Sequence, residues 1–242
     1  MTLEIITTLL ILTGLEIILG IDNIIFIAIV VQGLKKKYQD KARILGIGLA
    51  LVLRLILLAG VGWIMTLTEP LFSVLQYDFS AKDLMMLLGG LFLIVQSTRH
   101  VHDEMEEDAH DLHAPKKGLT MRAAIIQILF VDAVFSMDSL LTAIGLTEHV
   151  WVIAVAIIVS IAVMLWLSKP IIDIIHKHPT LKILALSFVM LIGVFMVAES
   201  MSYHIPRGYI YFAMAFSTCV ELLNIKIRGK SKKKQVKSKS KA

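Results

Sequence analysis

Near its start the chain reads Glu16-Ile17-Ile18-Leu19-Gly20-Ile21-Asp22-Asn23, which places two carboxylates inside an otherwise apolar segment. A later stretch repeats this pattern, with acid aligned to acid, small residue to small residue and serine to asparagine: Asp132-Ala133-Val134-Phe135-Ser136-Met137-Asp138-Ser139. A carboxylate at the centre of a membrane helix costs roughly 2.5–3.5 kcal/mol on insertion scales, so four cost on the order of 10 kcal/mol. Such groups are expected to face a cavity and bind a ligand. We interpret the paired motifs as a cation site.

The composition indicates a polytopic membrane protein, because 57% of the residues are hydrophobic and only 18% are charged. Since lipid leaves only helices or closed barrels to satisfy the backbone, and nothing alternates with period two, we predict an all-α fold. The single cysteine, Cys219, excludes an intramolecular disulfide. Seven segments are long and apolar enough to span a bilayer, at about 4–31, 44–67, 83–98, 122–146, 150–168, 181–200 and 208–225.

The distribution of basic residues predicts the orientation of these spans. Of the 24 Lys and Arg residues, 21 fall on one side of the membrane, while Lys82 and Arg207 fall on the other and Arg54 lies within a span. The positive-inside rule therefore puts the N-terminus outside and the C-terminus in the cytoplasm of a bacterial inner membrane. The Lys/Ser-rich residues 226–242 are expected to form a disordered basic tail, attracted to anionic lipid rather than to nucleic acid.

The two motifs are separated by an odd number of spans, so the second enters the membrane in the opposite direction to the first. Spans 1–3 (about 4–98) and spans 4–6 (about 122–200) then form an inverted repeat, which is typical of transporters with a site at the repeat interface. Gly90 to Gln96 aligns with Gly193 to Glu199 and extends the repeat into its third element. The seventh span has no counterpart. We therefore predict one membrane domain over residues 1–225.

The chemistry of the motifs favours a divalent metal ion, because carboxylate, amide and hydroxyl oxygens suit Mg²⁺, Ca²⁺ and Mn²⁺. The predicted metal ligands are Glu16, Asp22, Asn23, Asp132, Asp138 and Ser139. On a helix the second acid of each motif points about 100° away from the first. One ion shared by four acids therefore requires helices unwound near Gly20 and Ser136. The alternative is a set of ligands at two depths. With the first acid of each motif near the midplane, Asp22 lies roughly 8 Å toward the cytoplasm and Asp138 a comparable distance toward the outside.

Supporting residues are expected around these acids. Arg54 lies near the middle of the second span, and we expect it to pair with Glu16 or Asp22. One arginine does not neutralise four carboxylates, so a purely structural role for all of them is disfavoured. Gln96 and Glu199 occupy matching positions in the repeat and are expected to line or support the site, although a helix–helix hydrogen bond explains Gln96 equally well.

The longest loop, about 99–120, is a second candidate for metal binding. Its histidines lie among six carboxylates, a combination that suits manganese or zinc. A solvated acidic loop explains the pattern equally well, because no fixed ligand spacing recurs. The residues of this cytoplasmic metal-capture hypothesis are His100, His102, His110 and His113.

These residues together resemble the TerC family, which is named for tellurite resistance and is placed with the LysE-type transporters. The resemblance covers about residues 1–225 and rests on the paired motifs, on Arg54 within Leu-Val-Leu-Arg-Leu, and on the run from His204 to Ser217. Within this family, the chain resembles the short bacterial form, which lacks CBS domains. The resemblance implies a seven-span inner-membrane protein with the motif acids as candidate ligands. Several relatives export Mn²⁺, whereas others are tied to tellurite resistance or to metal supply for exported enzymes.

Three classes of function follow from the sequence and the resemblance. The leading one is a secondary transporter that exports a divalent cation, most simply manganese(II), in exchange for protons. The second is a non-transport membrane protein that binds an ion to support tellurite resistance or metal supply. An enzyme is disfavoured because no H-E-x-x-H or G-x-S-x-G motif occurs, and without a nucleotide-binding loop any transport must use gradients. We expect no permanently bound cofactor; the expected partners are the ion and the lipid bilayer, and a homo-oligomer is left open.

Overall fold

The computed structural model describes residues 2–74, 77–107, 119–203 and 205–239 of the chain. Within these residues, seven helices are long and apolar enough to cross a membrane, which confirms the predicted all-α, polytopic fold class. The elements in chain order are α1 Thr2–Gln32, α2 Lys36–Ala59, α3 Val61–Thr66, β1 Pro70–Val74, β2 Tyr77–Ser80, α4 Ala81–Glu107, α5 Met121–Leu146, α6 Val150–Lys177, α7 Pro179–Ser200 and α8 Arg207–Lys239. The short α3 does not belong to the set of seven.

The second predicted span, 44–67, is wrong at both ends. Its helix, α2, already begins at Lys36, because polar residues extend the helix beyond the apolar segment. It ends at Ala59, and Gly60 follows as its C-cap. Glycine is a poor helix former, so the break falls there, and the remaining apolar residues form the separate helix α3.

A two-stranded antiparallel hairpin, absent from the sequence prediction, connects α3 to α4. Strands β1 and β2 pair with each other, and Phe72 stacks on Phe79 with ring centroids 5.6 Å apart. The strands have five and four residues, too few for an alternating pattern to stand out. A capping box follows: Ser80 Oγ accepts from the Asp83 N–H at 3.2 Å, while Asp83 Oδ2 accepts from the Ser80 N–H at 2.9 Å. This box sets the start of α4.

Three helices run past their predicted ends. The helix predicted at 83–98 continues to Glu107, and the one predicted at 150–168 continues through Pro170 to Lys177. Hydropathy marks only the apolar part of a helix, and a proline inside it removes a single backbone hydrogen bond. Residues 226–239, expected to be disordered, are helical as part of α8, so that expectation is wrong. Lysine is a good helix former, and these residues extend a helix that is already nucleated.

The helices pack in pairs that agree with the predicted inverted repeat. Helix α1 packs against α6, α2 packs against α5, and α4 packs against α7. If α5, α6 and α7 repeat α1, α2 and α4, the first two pairs are equivalent and the third lies across the repeat axis. Helix α8 lies outside this arrangement and packs mainly on α7.

Helices α4 and α7 cross at Gly90 and Gly193, the two glycines aligned as repeat mates. A Cβ at position 90 would lie 2.6 Å from the Gly193 carbonyl oxygen, and a Cβ at position 193 would lie 2.8 Å from that of Gly90. The helices approach this closely only because both residues lack a side chain. The reciprocal contact is what a two-fold axis through the crossing requires.

The bundle has two ends, which we name by their connections. The hairpin end holds β1, β2 and the first residues of α4 and α8. The loop end holds the last residues of α1 and the first of α5, where the Leu119 N–H donates to the Gly33 carbonyl oxygen at 3.2 Å. The four motif acids lie between these ends.

Candidate cation site

The paired motifs are buried inside the bundle, on α1 and α5. Glu16, Asp22 and Asp132 are only 3%, 7% and 4% exposed. Asp138 is half-buried, with a side-chain exposure of 17%. Carboxylates in so apolar an interior require cations or hydrogen-bond donors. The structure divides the four acids into two groups with different partners.

The first group is held by Arg54 of α2, which bridges the first acid of each motif. Its Nη1 lies 2.7 Å from Glu16 Oε2, and its Nη2 lies 2.6 Å from Asp132 Oδ1. Glu16 is one of the two partners expected for Arg54, whereas its pairing with Asp132 was not predicted. A guanidinium presents several donors in a fixed fork, so one arginine serves two carboxylates on different helices.

The Asp132 carboxylate has further donors besides Arg54. Asn23 Nδ2 donates to its Oδ1 at 3.2 Å, and Ser136 Oγ lies 3.2 Å from its Oδ2. The same serine hydroxyl donates to the Asp132 carbonyl oxygen at 2.5 Å. With these contacts Asp132 joins α1, α2 and α5 into one polar network, and it is already neutralised by an internal cation.

Both motif helices are continuous, so the unwinding that one shared ion would need at Gly20 and Ser136 is absent from α1 and α5. Gly20 instead serves close packing, because a Cβ there would lie 2.5 Å from the Met164 sulfur of α6. Ser136 orients Asp132. The first acids of both motifs are held by Arg54, and the second acids are not.

The second acids of both motifs line one cavity. Asp22 and Asn23 reach it from α1, Asp138 and Ser139 from α5, and Arg54 from α2. Its remaining walls are mostly apolar and come from the two motif helices and from α4, α7 and α8: Leu19, Met86, Val134, Phe135, Ile192, Phe195, Met196, Arg207, Ile210 and Tyr211. Four of the six predicted metal ligands therefore face a common space, while Glu16 and Asp132 do not line it.

At the hairpin end of the cavity, Asp138 is held by two cations. Lys82 Nζ lies 3.0 Å from its Oδ1, and Arg207 of α8 forms an ion pair with its Oδ2. Arg207 also lies 3.8 Å from Glu199 Oε2 and stands over the Phe195 ring. Arg207 and Tyr211 both line the cavity from α8. Asp138, the second acid of the second motif, is thus neutralised by residues outside both motifs.

Asp22, the second acid of the first motif, has different surroundings. Among the described residues, Asp22 Oδ1 and the neighbouring Asn23 Oδ1 are buried oxygens without a hydrogen-bond partner. Both atoms are acceptors, and buried acceptors are normally satisfied by donors, water or an ion. Both residues line the cavity, and carboxylate and amide oxygens are the kind of ligands that a hard divalent cation takes.

The formal charge of this region follows from its ionisable side chains. Five carboxylates, on residues 16, 22, 132, 138 and 199, face three cationic side chains, on residues 54, 82 and 207. With every group ionised, the formal charge is −2. One divalent cation would neutralise it.

No complete metal site is present among the described residues, because no three His, Cys, Asp or Glu side chains lie together in a position to hold an ion. The cavity instead offers two carboxylates, one amide and the hydroxyls of Ser139 and Tyr211. In the histidine-rich segment, His100 Nδ1 lies 2.8 Å from the Gln96 carbonyl oxygen, and His102 is exposed on α4. His110 and His113 lie outside the described residues.

The two supporting residues predicted from the repeat have different positions. Glu199 reaches the ionic cluster at the hairpin end through Arg207. Gln96 lies on the loop side of the Gly90–Gly193 crossing and does not line the cavity. An inverted repeat sends matching residues toward opposite ends, so only one of the pair can reach the hairpin end.

Three residues of the site were not predicted from the sequence: Lys82, Arg207 and Tyr211. A signal for the first two was available, since they are the basic residues assigned to the side opposite the Lys-rich loops. Asp138 was expected toward that same side. A buried acid is expected to form ion pairs with the few basic side chains near the same membrane face.

The sequence matches the family described as the integral membrane protein TerC family over residues 1–236. A UPF0053 protein of Haemophilus influenzae is 46% identical over 217 residues, which make up 90% of this chain and 92% of that protein. The UPF0053 inner membrane protein YgdQ of Escherichia coli K12 is 44% identical, with 90% of this chain and 91% of YgdQ covered.

A longer relative matches equally well in its aligned part. The UPF0053 inner membrane protein YoaE of Escherichia coli K12 is 45% identical over 216 residues. That stretch covers 89% of this chain but only 42% of YoaE. No solved structure matches the chain.

Proposed function

We propose that this chain, which belongs to the TerC family of integral membrane proteins, is a secondary transporter that exports manganese(II) across a bacterial inner membrane. The observation that carries the proposal is the pair of buried, unpartnered oxygens of Asp22 and Asn23. They face a cavity that the two repeats share with Asp138. A divalent cation there would satisfy both oxygens and cancel the formal charge of the region.

The choice of ion is supported by the ligand chemistry. Carboxylate, amide and hydroxyl oxygens suit Mn²⁺, Mg²⁺ and Ca²⁺. The buried side chains of Met86 and Met196 also line the cavity. A thioether binds transition-metal ions better than alkaline-earth ions, so this mixed wall favours Mn²⁺ over Mg²⁺ and Ca²⁺.

The direction of transport is supported by the charge distribution in the sequence. The Lys-rich connections lie at the loop end, and the positive-inside rule assigns that end to the cytoplasm. The hairpin end, closed over Asp138 by two cations, then faces outward. We propose that this is the closed outer side of the carrier and that proton uptake by cavity acids drives metal release.

A protein that binds an ion without transporting it is the second candidate. The interior ion pairs favour it, because Arg54 already pairs with two of the four motif acids. Such a protein would hold metal for delivery or stability and would show no flux. Flux therefore separates the two functions.

The test is a metal panel in proteoliposomes, with Mn²⁺, Mg²⁺, Ca²⁺ and Zn²⁺ compared at two internal pH values. We expect flux of Mn²⁺ above the other ions, with a rate that depends on the proton gradient. Binding of Mn²⁺ without flux would establish the second candidate instead. If neither metal binding nor flux is observed, both candidate functions are contradicted.

A further inference from the structure

We propose that Arg207 is a tethered substitute cation, which occupies the metal position at Asp138 when the carrier is empty and leaves it when metal binds. This inference rests on the proposed transport function and assigns a role at the same site to a residue outside the paired motifs. The side chain enters the cavity from α8, the helix without a repeat counterpart.

The geometry places Arg207 in direct competition with a metal ion. Its guanidinium forms an ion pair with Asp138 Oδ2, while Lys82 takes Oδ1 at 3.0 Å. Both carboxylate oxygens are therefore covered. An ion coordinated by Asp22 and Asp138 together must displace at least the arginine, because cation and guanidinium cannot share one oxygen at close range without strong repulsion.

A second carboxylate already lies close to the arginine. Glu199 of α7 has its Oε2 3.8 Å from Arg207 Nη2, beyond hydrogen-bond distance but within that of an ion pair. A small movement of the guanidinium would exchange Asp138 for Glu199 as its main partner. The arginine then stays paired in the metal-bound state and is not left as an uncompensated charge.

The packing of α8 allows such a movement. Only 6% of its span is buried, compared with 67% of the span formed by α1, and its contacts are mainly with α7. The first turn of α8 can shift without opening the core of the repeats. Arg207 is thus carried by the least constrained of the seven spans.

Removal of the arginine should strengthen metal binding, which is the opposite of what loss of a structural ion pair would do. We expect Arg207→Gln to lower the half-saturating Mn²⁺ concentration in a thermal-shift titration by about fivefold, since even an exposed ion pair is worth up to about that factor. Arg207→Lys, which keeps the charge, should leave it near the wild-type value. Lys82→Gln should shift it in the same direction as Arg207→Gln.

The matched control is Lys182→Gln, which removes a half-buried ion pair with Glu104 between α7 and α4, at the loop end. This variant should lose stability without any change in half-saturating Mn²⁺. A weaker or unchanged Mn²⁺ response in Arg207→Gln and Lys82→Gln, beside a normal wild-type response, would overturn the substitute-cation role and leave the proposed function intact. A wild type that no divalent cation stabilises would overturn both.

Discussion

At the scale of single residues, Arg54 decides how the buried charge is carried. It joins three helices through Glu16 and Asp132, and all three side chains are almost fully buried. Removing one member of a buried ionic network leaves an uncompensated charge, whereas removing all of its charges does not. Arg54 is therefore expected to matter for folding before it matters for transport.

The first prediction concerns that network. Arg54→Leu should destabilise the protein by about 3–5 kcal/mol, the usual cost of breaking a buried ion pair. The triple variant Arg54→Leu/Glu16→Gln/Asp132→Asn should recover most of that loss, because no charge is left unpaired. Thermal unfolding in detergent measures both. Equal loss of stability in the single and triple variants would show that the arginine acts through packing and not through charge.

The second prediction concerns the two methionines of the cavity wall. Met86→Leu and Met196→Leu conserve volume but remove the thioether, so each should cost less than about 1.5 kcal/mol of stability. If a sulfur contributes to ion selection, at least one variant should lose preference for Mn²⁺ over Mg²⁺ while keeping oxygen-based binding. Competition of Mg²⁺ with Mn²⁺ in a binding titration checks this. Met214→Leu, a buried methionine of α8 outside the cavity lining, is the control.

At the scale of elements, the crossing of α4 and α7 shows how the repeats meet. The two glycines at this crossing leave no room for a methyl group on either helix. Crossings of this kind let backbones approach closely in the absence of a hydrophobic driving force. The site depends on it, because α4 and α7 supply walls of the cavity on either side.

The third prediction tests this crossing. Gly90→Ala and Gly193→Ala should each destabilise the protein by about 1–3 kcal/mol, the cost of overpacking, since the new Cβ meets a backbone carbonyl that cannot rotate away. Gly48→Ala in α2, where a Cβ would have no neighbour within 4 Å, should be neutral or stabilising. Thermal unfolding of the three variants measures the difference. Equal behaviour at positions 90 and 48 would contradict the close crossing.

The sequence allowed the seven spans to be predicted, because runs of apolar residues report directly on lipid contact. The ends of the helices could not be predicted in this way, since Lys36 and Glu107 belong to polar turns that extend helices into water. The paired acids were found from their cost in a membrane. Their division into two groups was not found, because a helical face tells where Glu16 and Asp132 point but not that one arginine from another helix pairs with both.

At the scale of the whole molecule, the two ends of the bundle differ in what they offer an ion. At the hairpin end, Lys82 and Arg207 pair with Asp138. The loop end carries the Lys-rich connections. The positive-inside rule predicts that the loop end faces the cytoplasm, which would put this ionic cluster on the outer side of the membrane.

The fourth prediction concerns this orientation. In a Cys219→Ala background, Thr68→Cys at the hairpin end should react with a membrane-impermeant maleimide added to intact cells. Lys35→Cys at the loop end should react only after the membrane is opened. Both positions are exposed, so access alone decides the labelling. The reverse pattern would place the Lys-rich loops outside and invert the direction of the proposed transport.

The measurement that tests the central claim most directly is Mn²⁺ flux into proteoliposomes carrying Asp22→Asn. This change keeps the size of the side chain and removes one charge from a carboxylate whose buried oxygen has no hydrogen-bond partner among the described residues. We predict loss of flux and of Mn²⁺-dependent thermal stabilisation, while Asp40→Asn, at an exposed carboxylate outside the cavity, keeps both. Wild-type flux and unchanged stabilisation in Asp22→Asn would contradict the claim that this cavity is the site of metal transport.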